Sequence, residues 1–302
     1  MKIYIVGTGG VGGYFGGLMA HGGLDVTFVT RGEQYTAIKQ RGLKIKSVLG
    51  DFVIEPTKVI EKISQIVDPD LIFLCVKSHD LPSIAEQLRP VITPQTIIIT
   101  LENGIDNDLK VVDSLPHASV YAGIAYVIST RTEPGVISQT GGLRKIIIGD
   151  RKKPNNSDLL SIVNLLSGAG VNIVQSSDIV QDLWKKFIYL IPFAGLTGAY
   201  RSPIGKILNN PDFRSTYEDC IREVIAVARA AKVNLPDDIF SQVIITSTNT
   251  APESKSSLLI DIENNRTSEI DNLHGTVIKL AAELGVDTPT IKSIYDRITT
   301  QQ

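Results

Sequence analysis

Cysteine is scarce in this chain, and neither sign of charge is in excess. Only two cysteines, Cys75 and Cys220, occur in 302 residues. They are too far apart in the sequence for metal-ligand spacing, and so few cysteines are typical of the reducing cytoplasm, where we expect this protein. Thirty Lys and Arg residues against 32 Asp and Glu residues give a net charge of −2. Without a basic excess or an acidic tail, we expect no nucleic-acid partner.

Long hydrophobic runs are also missing. The most apolar stretch, residues 187–200, contains Pro192 and two glycines. It is shorter than the roughly 20 apolar residues of a membrane-spanning helix. Lys2 precedes a short strand-like run and then glycines, rather than the long apolar region of a signal peptide. We therefore expect neither a membrane span nor a signal peptide.

What is present is an ordinary globular composition, with 43% hydrophobic and 21% charged residues. At about 150 residues per domain, the length suggests two domains. Short apolar runs alternate with helical stretches in residues 1–175. The predicted strands are 3–6, 26–29, 71–75, 97–100 and 120–122, and the predicted helices are 11–21, 33–41 and 80–88. Continuous apolar strands are typical of a parallel sheet buried on both faces, so this part predicts a doubly wound α/β domain.

The pattern changes near residue 130. Pro-Gly and Gly-Gly pairs in residues 130–149 predict two or three strands joined by turns. A helix at 158–167 and a last strand at 171–174 are expected to follow. Beyond this point the pattern is almost entirely helical, with predicted helices at 178–190, 213–231, 237–247 and 269–284. We therefore predict a mainly α-helical second domain at residues 176–302.

A glycine-rich segment lies between the first predicted strand and the first predicted helix, with Gly7, Gly9 and Gly12 in the pattern G-x-G-x-x-G. The first glycine permits a tight turn, the second lets a pyrophosphate approach the backbone, and the third allows close helix–strand packing. Free N–H groups at the helix start then bind phosphates. The alternative is a glycine turn without a ligand, but the strand-before, helix-after context favours dinucleotide binding. The predicted cofactor-binding residues of this segment are Gly7, Thr8, Gly9, Gly10, Val11 and Gly12.

The end of the second predicted strand indicates which nicotinamide cofactor is bound. NAD-binding domains usually carry an Asp or Glu there, which binds the ribose 2′-hydroxyl. This chain has Thr30 and Arg31 instead. Because an arginine pairs with a 2′-phosphate, Arg31 favours NADP. Glu33 argues in the other direction, and the structural alternative is that Arg31 is a solvated loop residue.

Two polar residues follow neighbouring predicted strands. Lys77 comes after the apolar run at 71–76, and Asn103 comes after the next strand. Ligands bind at the carboxyl ends of strands in such sheets. A solvated lysine and an Asn-Gly turn are the structural alternatives. Their position at adjacent strand ends favours contact with cofactor and substrate.

Three polar residues of the second domain give weaker signals when taken singly. Lys186 follows Asp182 by four positions on a predicted helix, a spacing typical of an ion pair on a solvated face. Ser257 and Glu269 would lie about 18 Å apart on one continuous helix, so they share a site only if that helix breaks. Residues 264–267 are a plausible break. Glu269 then falls in the first turn of the next helix, where a glutamate also complements the helix dipole.

These motifs together resemble the ketopantoate reductase (2-dehydropantoate 2-reductase) family over essentially the whole chain. The similarity rests on GTGGVGGYFGG at the start, then Arg31, VKSHD around Lys77, ENG around Asn103, WKK at Lys186 and SSLLIDIENNRTSEID near the end. The order and spacing of these six motifs make the resemblance far more specific than the glycine loop alone.

The resemblance implies an enzyme that reduces 2-dehydropantoate to (R)-pantoate with NADPH, a step of pantothenate and coenzyme A biosynthesis. It also implies an N-terminal Rossmann domain for NADPH and a helical domain that closes over a cleft. Lys186 matches the family's catalytic lysine, and Glu269 matches its active-site glutamate, which also contacts the cofactor. Asn103 and Ser257 match substrate-contacting residues, and Lys77 and Asn103 match residues that contact the cofactor. No metal is expected, and assembly as a homodimer is left open.

Three positions depart from the family pattern. Where ketopantoate reductases usually carry asparagines, this chain has Leu190, Ala194 and Ile204. Polar sites discriminate strongly for hydroxyl-bearing substrates, so the first alternative is a relative that reduces a more apolar 2-keto acid to a D-2-hydroxy acid. The second is a non-catalytic NADP-binding sensor, against which the retention of Lys186 and Glu269 argues. A third is a 3-hydroxy-acid dehydrogenase, which commonly carries an asparagine at the position of Leu190.

Overall fold

The structure, a computed structural model, describes residues 1–300 of the chain. Two compact units divide between Ile179 and Val180. The first unit is α/β and the second is helical, so the predicted fold class is confirmed. Among the residues described, no helix combines the length and the apolar character needed to cross a membrane.

Ten strands form one sheet in the first unit. They are β1 (Lys2–Val6), β2 (Asp25–Val29), β3 (Leu43–Ser47), β4 (Phe52–Ile54), β5 (Lys58–Ile60), β6 (Leu71–Leu74), β7 (Ile97–Thr100), β8 (Ser119–Glu133), β9 (Val136–Gly149) and β10 (Asn172–Gln175). Nine follow the order β4-β3-β9-β8-β7-β6-β1-β2-β5, and β10 pairs with β9. The portion β5-β2-β1-β6-β7-β8 is entirely parallel. This is the strand order of a dinucleotide-binding Rossmann sheet.

Helices cover both faces of this sheet. They are α1 (Gly10–His21), α2 (Gly32–Arg41), α3 (Leu81–Leu88), α4 (Asn107–Ser114) and α5 (Ser157–Gly168). On one face α1 and α5 pack around Phe15, Phe73 and Ile162. On the other face α3 and α4 pack around Ile72 and Val111. Because neighbouring residues of β6 enter opposite cores, this strand has to be apolar throughout.

The sequence pattern does not predict β3, β4 or β5. In β3 the apolar residues alternate with exposed Lys44 and Lys46, and β4 and β5 have only three residues each. Of the two turns predicted in residues 130–149, the Pro-Gly turn is confirmed and the Gly-Gly turn is wrong. The chain reverses only at Pro134–Gly135, whereas Gly141 and Gly142 lie inside β9. The register of β8 and β9 shifts between Tyr126 and Ile128, which identifies the glycine pair as part of a β-bulge.

The second unit consists of helices. They are α6 (Ile179–Tyr200), α7 (Ile204–Asn209), α8 (Pro211–Ala230), α9 (Ile239–Thr248), α10 (Ser257–Glu263), α11 (Thr276–Leu284) and α12 (Pro289–Thr299). The prediction that the first of these ends near residue 190 is wrong, since α6 continues through Pro192. Ile188, Ile191 and Leu196 are fully buried. Burial of about 1.5–3 kcal/mol per such side chain outweighs the roughly 3 kcal/mol cost of an interior proline.

Candidate active site

The glycine loop joins β1 to α1 with very close backbone packing. Gly7 has a φ of +98°, and a Cβ there would lie 2.5 Å from the carbonyl oxygen of Cys75. A Cβ on Gly12 would lie 2.1 Å from the carbonyl oxygen of Gly7. Only glycine fits at these two positions. The tight turn and the helix–strand contact therefore have the geometry of a dinucleotide-binding loop.

The middle of this loop has room for a ligand. A Cβ built on Gly9 would meet no heavy atom within 4 Å. The hydroxyl Oγ1 of Thr8 is buried and has no hydrogen-bond partner among residues 1–300. The N–H groups of Gly10, Val11 and Gly12 form the first turn of α1, where amides have no intrahelical acceptor. Room, unpaired amides and a buried hydroxyl fit the pyrophosphate of a dinucleotide.

Arg31 lies at the same edge of the sheet as this loop. Val6 and Val29 are register partners at the ends of β1 and β2. Gly7 and Arg31 come one and two residues after these ends, so both lie at the same edge of the sheet. Arg31 and Glu33 are both exposed at the start of α2. Arg31 is therefore placed to contact a part of a dinucleotide that extends beyond the glycine loop. That Arg31 prefers a 2′-phosphate stays a prediction.

Lys77 and Asn103 lie at the carboxyl ends of the neighbouring strands β6 and β7. Leu74 and Thr100 are register partners there, and each polar residue comes three positions later. The Ser78 hydroxyl donates a hydrogen bond to the Asn103 carbonyl oxygen at 3.2 Å, which ties the two strand ends together. Lys77 and Asn103 are both half-buried. The structure thus brings them to one strand edge, while their contacts with ligands stay predictions.

Glu102, which the sequence analysis missed, is a buried carboxylate at the same edge. Its Oε1 accepts a hydrogen bond from the Val76 N–H at 3.0 Å. Burial, and then the charge of Glu102, raise the pKa of the Cys75 thiol well above its usual value. The neutral thiol is a poor nucleophile. A charged residue directly after the apolar strand β7 was the available signal for Glu102.

Lys186 and Glu269 form the electrostatic centre of the second unit. Lys186 is half-buried on α6, and Glu269 is 7% exposed. Burial lowers the pKa of Lys186 to about 8, and the Glu269 carboxylate opposes this by favouring the charged ammonium. Lys186 is therefore not a lysine of a solvated face, which was the structural alternative drawn from its spacing to Asp182. A lysine with a pKa near neutrality can both carry charge and give up a proton.

The helix break expected between Ser257 and Glu269 is present. α10 ends at Glu263, and the chain turns before helical structure resumes at Ile270. Glu269 thus precedes the next helix by one residue, so its expected place in the first helical turn is wrong. Its carbonyl oxygen accepts the N–H of Leu273 at 3.0 Å, so the backbone of Glu269 lies at the N-terminal boundary of the helical structure that follows.

Ser257 is exposed at the start of α10, and its neighbour Ser256 carries the structural role. The Ser256 hydroxyl accepts the N–H of Leu259 at 3.1 Å and bonds the hydroxyl of Thr197 at 2.7 Å. Capping and helix–helix contact are therefore supplied by Ser256. The hydroxyl of Ser257 is left for other contacts.

A π-helical turn, Asp271–Gly275, follows Glu269 and contains His274, which the sequence analysis did not single out. His274 is fully buried, and a Cβ on Gly195 of α6 would lie 2.3 Å from its Nε2. Burial lowers the pKa of His274 to about 3, although the Ile191 backbone favours the charged form. The ring is therefore neutral and packs this turn against α6. Within residues 1–300 no cluster of three or more His, Cys, Asp or Glu could hold a metal ion.

The three positions that depart from the family pattern differ in exposure. Leu190 is half-buried, one helical turn after Lys186. Ala194 is 1% exposed and Ile204 is 0% exposed. Leu190 is therefore the replacement with surface available for a substrate beside Lys186.

Comparisons with known proteins agree with this geometry. The family model described as "Ketopantoate reductase PanE/ApbA" matches residues 3–153, and "Ketopantoate reductase PanE/ApbA C terminal" matches residues 178–302. The chain is 28% identical to the "Uncharacterized oxidoreductase YkpB" of Bacillus subtilis (strain 168), covering 98% of this chain and 97% of that protein. It is 25% identical to the 2-dehydropantoate 2-reductase of Nostoc sp., covering 98% and 94%. The crystal structure of 2-dehydropantoate 2-reductase from Geobacter metallireducens GS-15 is 28% identical, covers 100% of both chains and superposes with a TM-score of 0.94.

Proposed function

The chain belongs to the ketopantoate reductase PanE/ApbA family of oxidoreductases, and from this premise we propose that it is an NADPH-dependent 2-keto acid reductase. The first substrate proposed is 2-dehydropantoate (ketopantoate), which would yield (R)-pantoate for pantothenate and coenzyme A biosynthesis. The observation that carries this proposal is the pair formed by Lys186, with a pKa of about 8, and Glu269.

Lys186 is proposed as the acid that completes the reduction. NADPH, when bound, supplies the hydride that reduces the carbonyl carbon. The negative charge that develops on the carbonyl oxygen needs a cation and a proton, and a protonated Lys186 supplies both. Glu269 keeps Lys186 protonated near neutral pH, since its charge opposes the effect of burial.

Asn103 and Ser257 are proposed to position the substrate. The backbone of Asn103 is held near the end of β7, because its carbonyl oxygen accepts hydrogen bonds from the side chains of Ser78 and Asn107. Ser257 has an exposed hydroxyl that is not used to cap α10. An amide and a hydroxyl can donate to the keto and carboxylate oxygens of a 2-keto acid. Glu269 and Lys77 are proposed to contact the cofactor as well.

The preference for NADPH is proposed from Arg31. Its guanidinium is exposed at the start of α2, at the edge where the glycine loop begins. A 2′-phosphate forms charge-assisted hydrogen bonds with a guanidinium, whereas the 2′-hydroxyl of NADH does not.

A more apolar 2-keto acid is the second candidate substrate, and Leu190 is the observation that favours it. Leu190 and Phe193 are half-buried on the helix face of Lys186. The ring of Phe193 stacks on that of Tyr189 at a centroid distance of 5.5 Å. Such a surface binds an alkyl or aryl group well, and the side chains of Leu190 and Phe193 offer no hydrogen-bond partner to the hydroxyl of ketopantoate.

The test is NADPH oxidation with ketopantoate and with a panel of apolar 2-keto acids, with NADH as the cofactor control. Fast, NADPH-selective turnover of ketopantoate supports the first substrate. Selective turnover of an apolar acid replaces ketopantoate by the second candidate. NADPH binding without turnover of any 2-keto acid contradicts the proposed reaction and points to a sensor.

A cytoplasmic location and a homodimer are further parts of the proposal. Family membership is compatible with both, and neither follows from the geometry of the units. Cell fractionation tests the location, and analytical ultracentrifugation of the purified chain tests the assembly.

A further inference from the structure

Gln34 joins two distant backbone segments through one buried amide. It lies on α2 and is 1% exposed. Its Nε2 donates a hydrogen bond to the carbonyl oxygen of Thr8, in the glycine loop, at 3.0 Å. Its Oε1 accepts the N–H of Gly135, in the turn between β8 and β9, at 2.8 Å. Both ends of the side chain are therefore used, one on the cofactor loop and one on the hairpin.

The hairpin turn is held firmly against α2. A Cβ on Gly135 would lie 3.2 Å from the Cβ of Ala37. The carbonyl oxygen of Gly135 accepts the N–H of Lys44 at 2.9 Å. Because the turn is fixed on both sides, its contact with Gln34 is a rigid anchor for that side chain.

The same hairpin also packs on the first turn of α1, directly after the glycine loop. A Cβ on Gly10 would lie 2.2 Å from the carbonyl oxygen of Ser129 in β8. A Cβ on Gly13 would lie 2.6 Å from the Ile137 side chain in β9. The start of α1, directly after the loop, is therefore packed against the hairpin, and Gln34 is the hydrogen-bonded link between the Thr8 carbonyl of the loop and α2.

The anchored carbonyl determines how the loop presents its amides. In a trans peptide the C=O and the following N–H point in opposite directions. With the Thr8 carbonyl held by Gln34, the Gly9 N–H points away from Gln34. Gly9 is also the position with open space for a pyrophosphate.

Gln34 also lies close to the proposed 2′-phosphate contact. Arg31 precedes it by three residues, at the N-terminal boundary of α2. Arg31 has extended backbone and leads directly into the first turn of α2, which contains Gln34. The bond from Gln34 to Thr8 therefore ties the start of α2, which follows Arg31, to the glycine loop.

We propose that Gln34 is a positioning residue for the cofactor, which holds the glycine loop and Arg31 in register so that one NADPH molecule reaches both. This inference rests on the proposed function, since it presupposes NADPH. A purely structural amide would lower stability without changing the preference between NADPH and NADH. A positioning residue changes that preference.

The test compares Gln34→Met with Gln139→Met. Methionine keeps the size of glutamine and removes its hydrogen bonds. Gln139 is a matched control, because it is also 1% exposed and bonds the Ser47 hydroxyl at 2.7 Å and the Gly141 carbonyl at 2.8 Å. Gln34→Glu is the second variant, since it keeps an acceptor for Gly135 and loses the donor to Thr8. The readouts are the Kd values of NADPH and NADH, from nucleotide fluorescence, and the Tm.

We expect both Gln34 variants to bind NADPH about tenfold more weakly. The ratio of the Kd of NADH to the Kd of NADPH should fall by at least about threefold. Gln139→Met is expected to keep the wild-type preference for NADPH over NADH, although its Tm should fall about as much as that of Gln34→Met. An unchanged preference in both Gln34 variants, whatever the change in Tm, overturns the inference alone. A wild-type chain that binds neither nucleotide overturns the proposed function and this inference together.

Discussion

The Glu269 carboxylate opposes the effect of burial on the Lys186 ammonium. Burial lowers the pKa of Lys186 to about 8, and without Glu269 it would be lower still. The two residues come from α6 and from the segment before the π-helical turn, so two helices have to pack to bring them together. The balance leaves Lys186 mostly protonated at neutral pH, yet able to release its proton.

Lys186→Ala is expected to lower kcat by several orders of magnitude and to leave the Kd of NADPH almost unchanged. The proposed role of Lys186 is to stabilise the developing charge and donate the proton, which affects the transition state more than cofactor binding. Steady-state kinetics and nucleotide fluorescence check the two parts. Lys185→Ala is the control, because the neighbouring Lys185 bonds Gln181 instead. A kcat unchanged by Lys186→Ala would remove the lysine from the mechanism.

The pH dependence of kcat/KM should report the titration of Lys186. The charged form is the proton donor, so kcat/KM is expected to be level below pH of about 8 and to fall about tenfold per pH unit above it. In Glu269→Gln the charge that raises the pKa of Lys186 is gone. The fall should then begin at a lower pH than in the wild type. A variant profile that begins to fall at the same or a higher pH contradicts the proposed pairing.

The candidate site residues of the first unit could be predicted from local sequence. The glycine loop, Lys77 and Asn103 each come within three residues of the end of an apolar strand, and the order of parallel strands puts strand ends side by side. Gln34 could not be found in this way. Its partners are Thr8 and Gly135, which are 26 and 101 residues distant in the sequence, and no local pattern indicates that α2, the glycine loop and the hairpin turn pack together.

The candidate site residues of the second unit could be found only through the family resemblance. Lys186 and Glu269 are ordinary helix-surface residues by spacing, and their pKa relationship depends on burial by side chains distant in sequence. The break after α10 was predictable from residues 264–267, because two asparagines favour a helix end. The π-helical turn around His274 was not, since its contact with Gly195 joins residues that are distant in the sequence.

Arg31→Ala is expected to weaken NADPH binding by at least about tenfold and to leave NADH binding within about twofold. The reason is that a guanidinium–phosphate pair is worth more than about one kcal/mol, and NADH carries no 2′-phosphate for it to bind. Paired titrations with the two nucleotides measure this. Arg41→Ala is the control, because Arg41 lies at the other end of α2. Equal weakening of NADH and NADPH would show that Arg31 does not select the cofactor.

The glycine loop offers a pair of variants that separate binding from folding. Gly9→Ala should leave the Tm nearly unchanged, because Gly9 has a φ of −88° and open space around a Cβ. It should raise the Kd of NADPH about tenfold or more, because the methyl group occupies the approach of the pyrophosphate. Gly12→Ala should instead lower the Tm, since its Cβ would lie 2.1 Å from the Gly7 carbonyl oxygen. A Gly9→Ala variant with wild-type affinity would contradict the placement of the pyrophosphate.

Leu190→Asn tests which 2-keto acid the site prefers. Leu190 is half-buried one helical turn after Lys186, and the asparagine that family members usually carry there would restore a polar contact. If Leu190 excludes a hydroxyl-bearing substrate, the variant should raise kcat/KM for ketopantoate relative to an unbranched apolar 2-keto acid by about tenfold or more, since a buried polar contact discriminates strongly. Competition assays with both acids measure this ratio directly. Leu284→Asn, at an exposed leucine at the end of α11, is the control and should leave the ratio unchanged. An unchanged ratio in Leu190→Asn would mean that the substrate side chain does not lie against this part of α6.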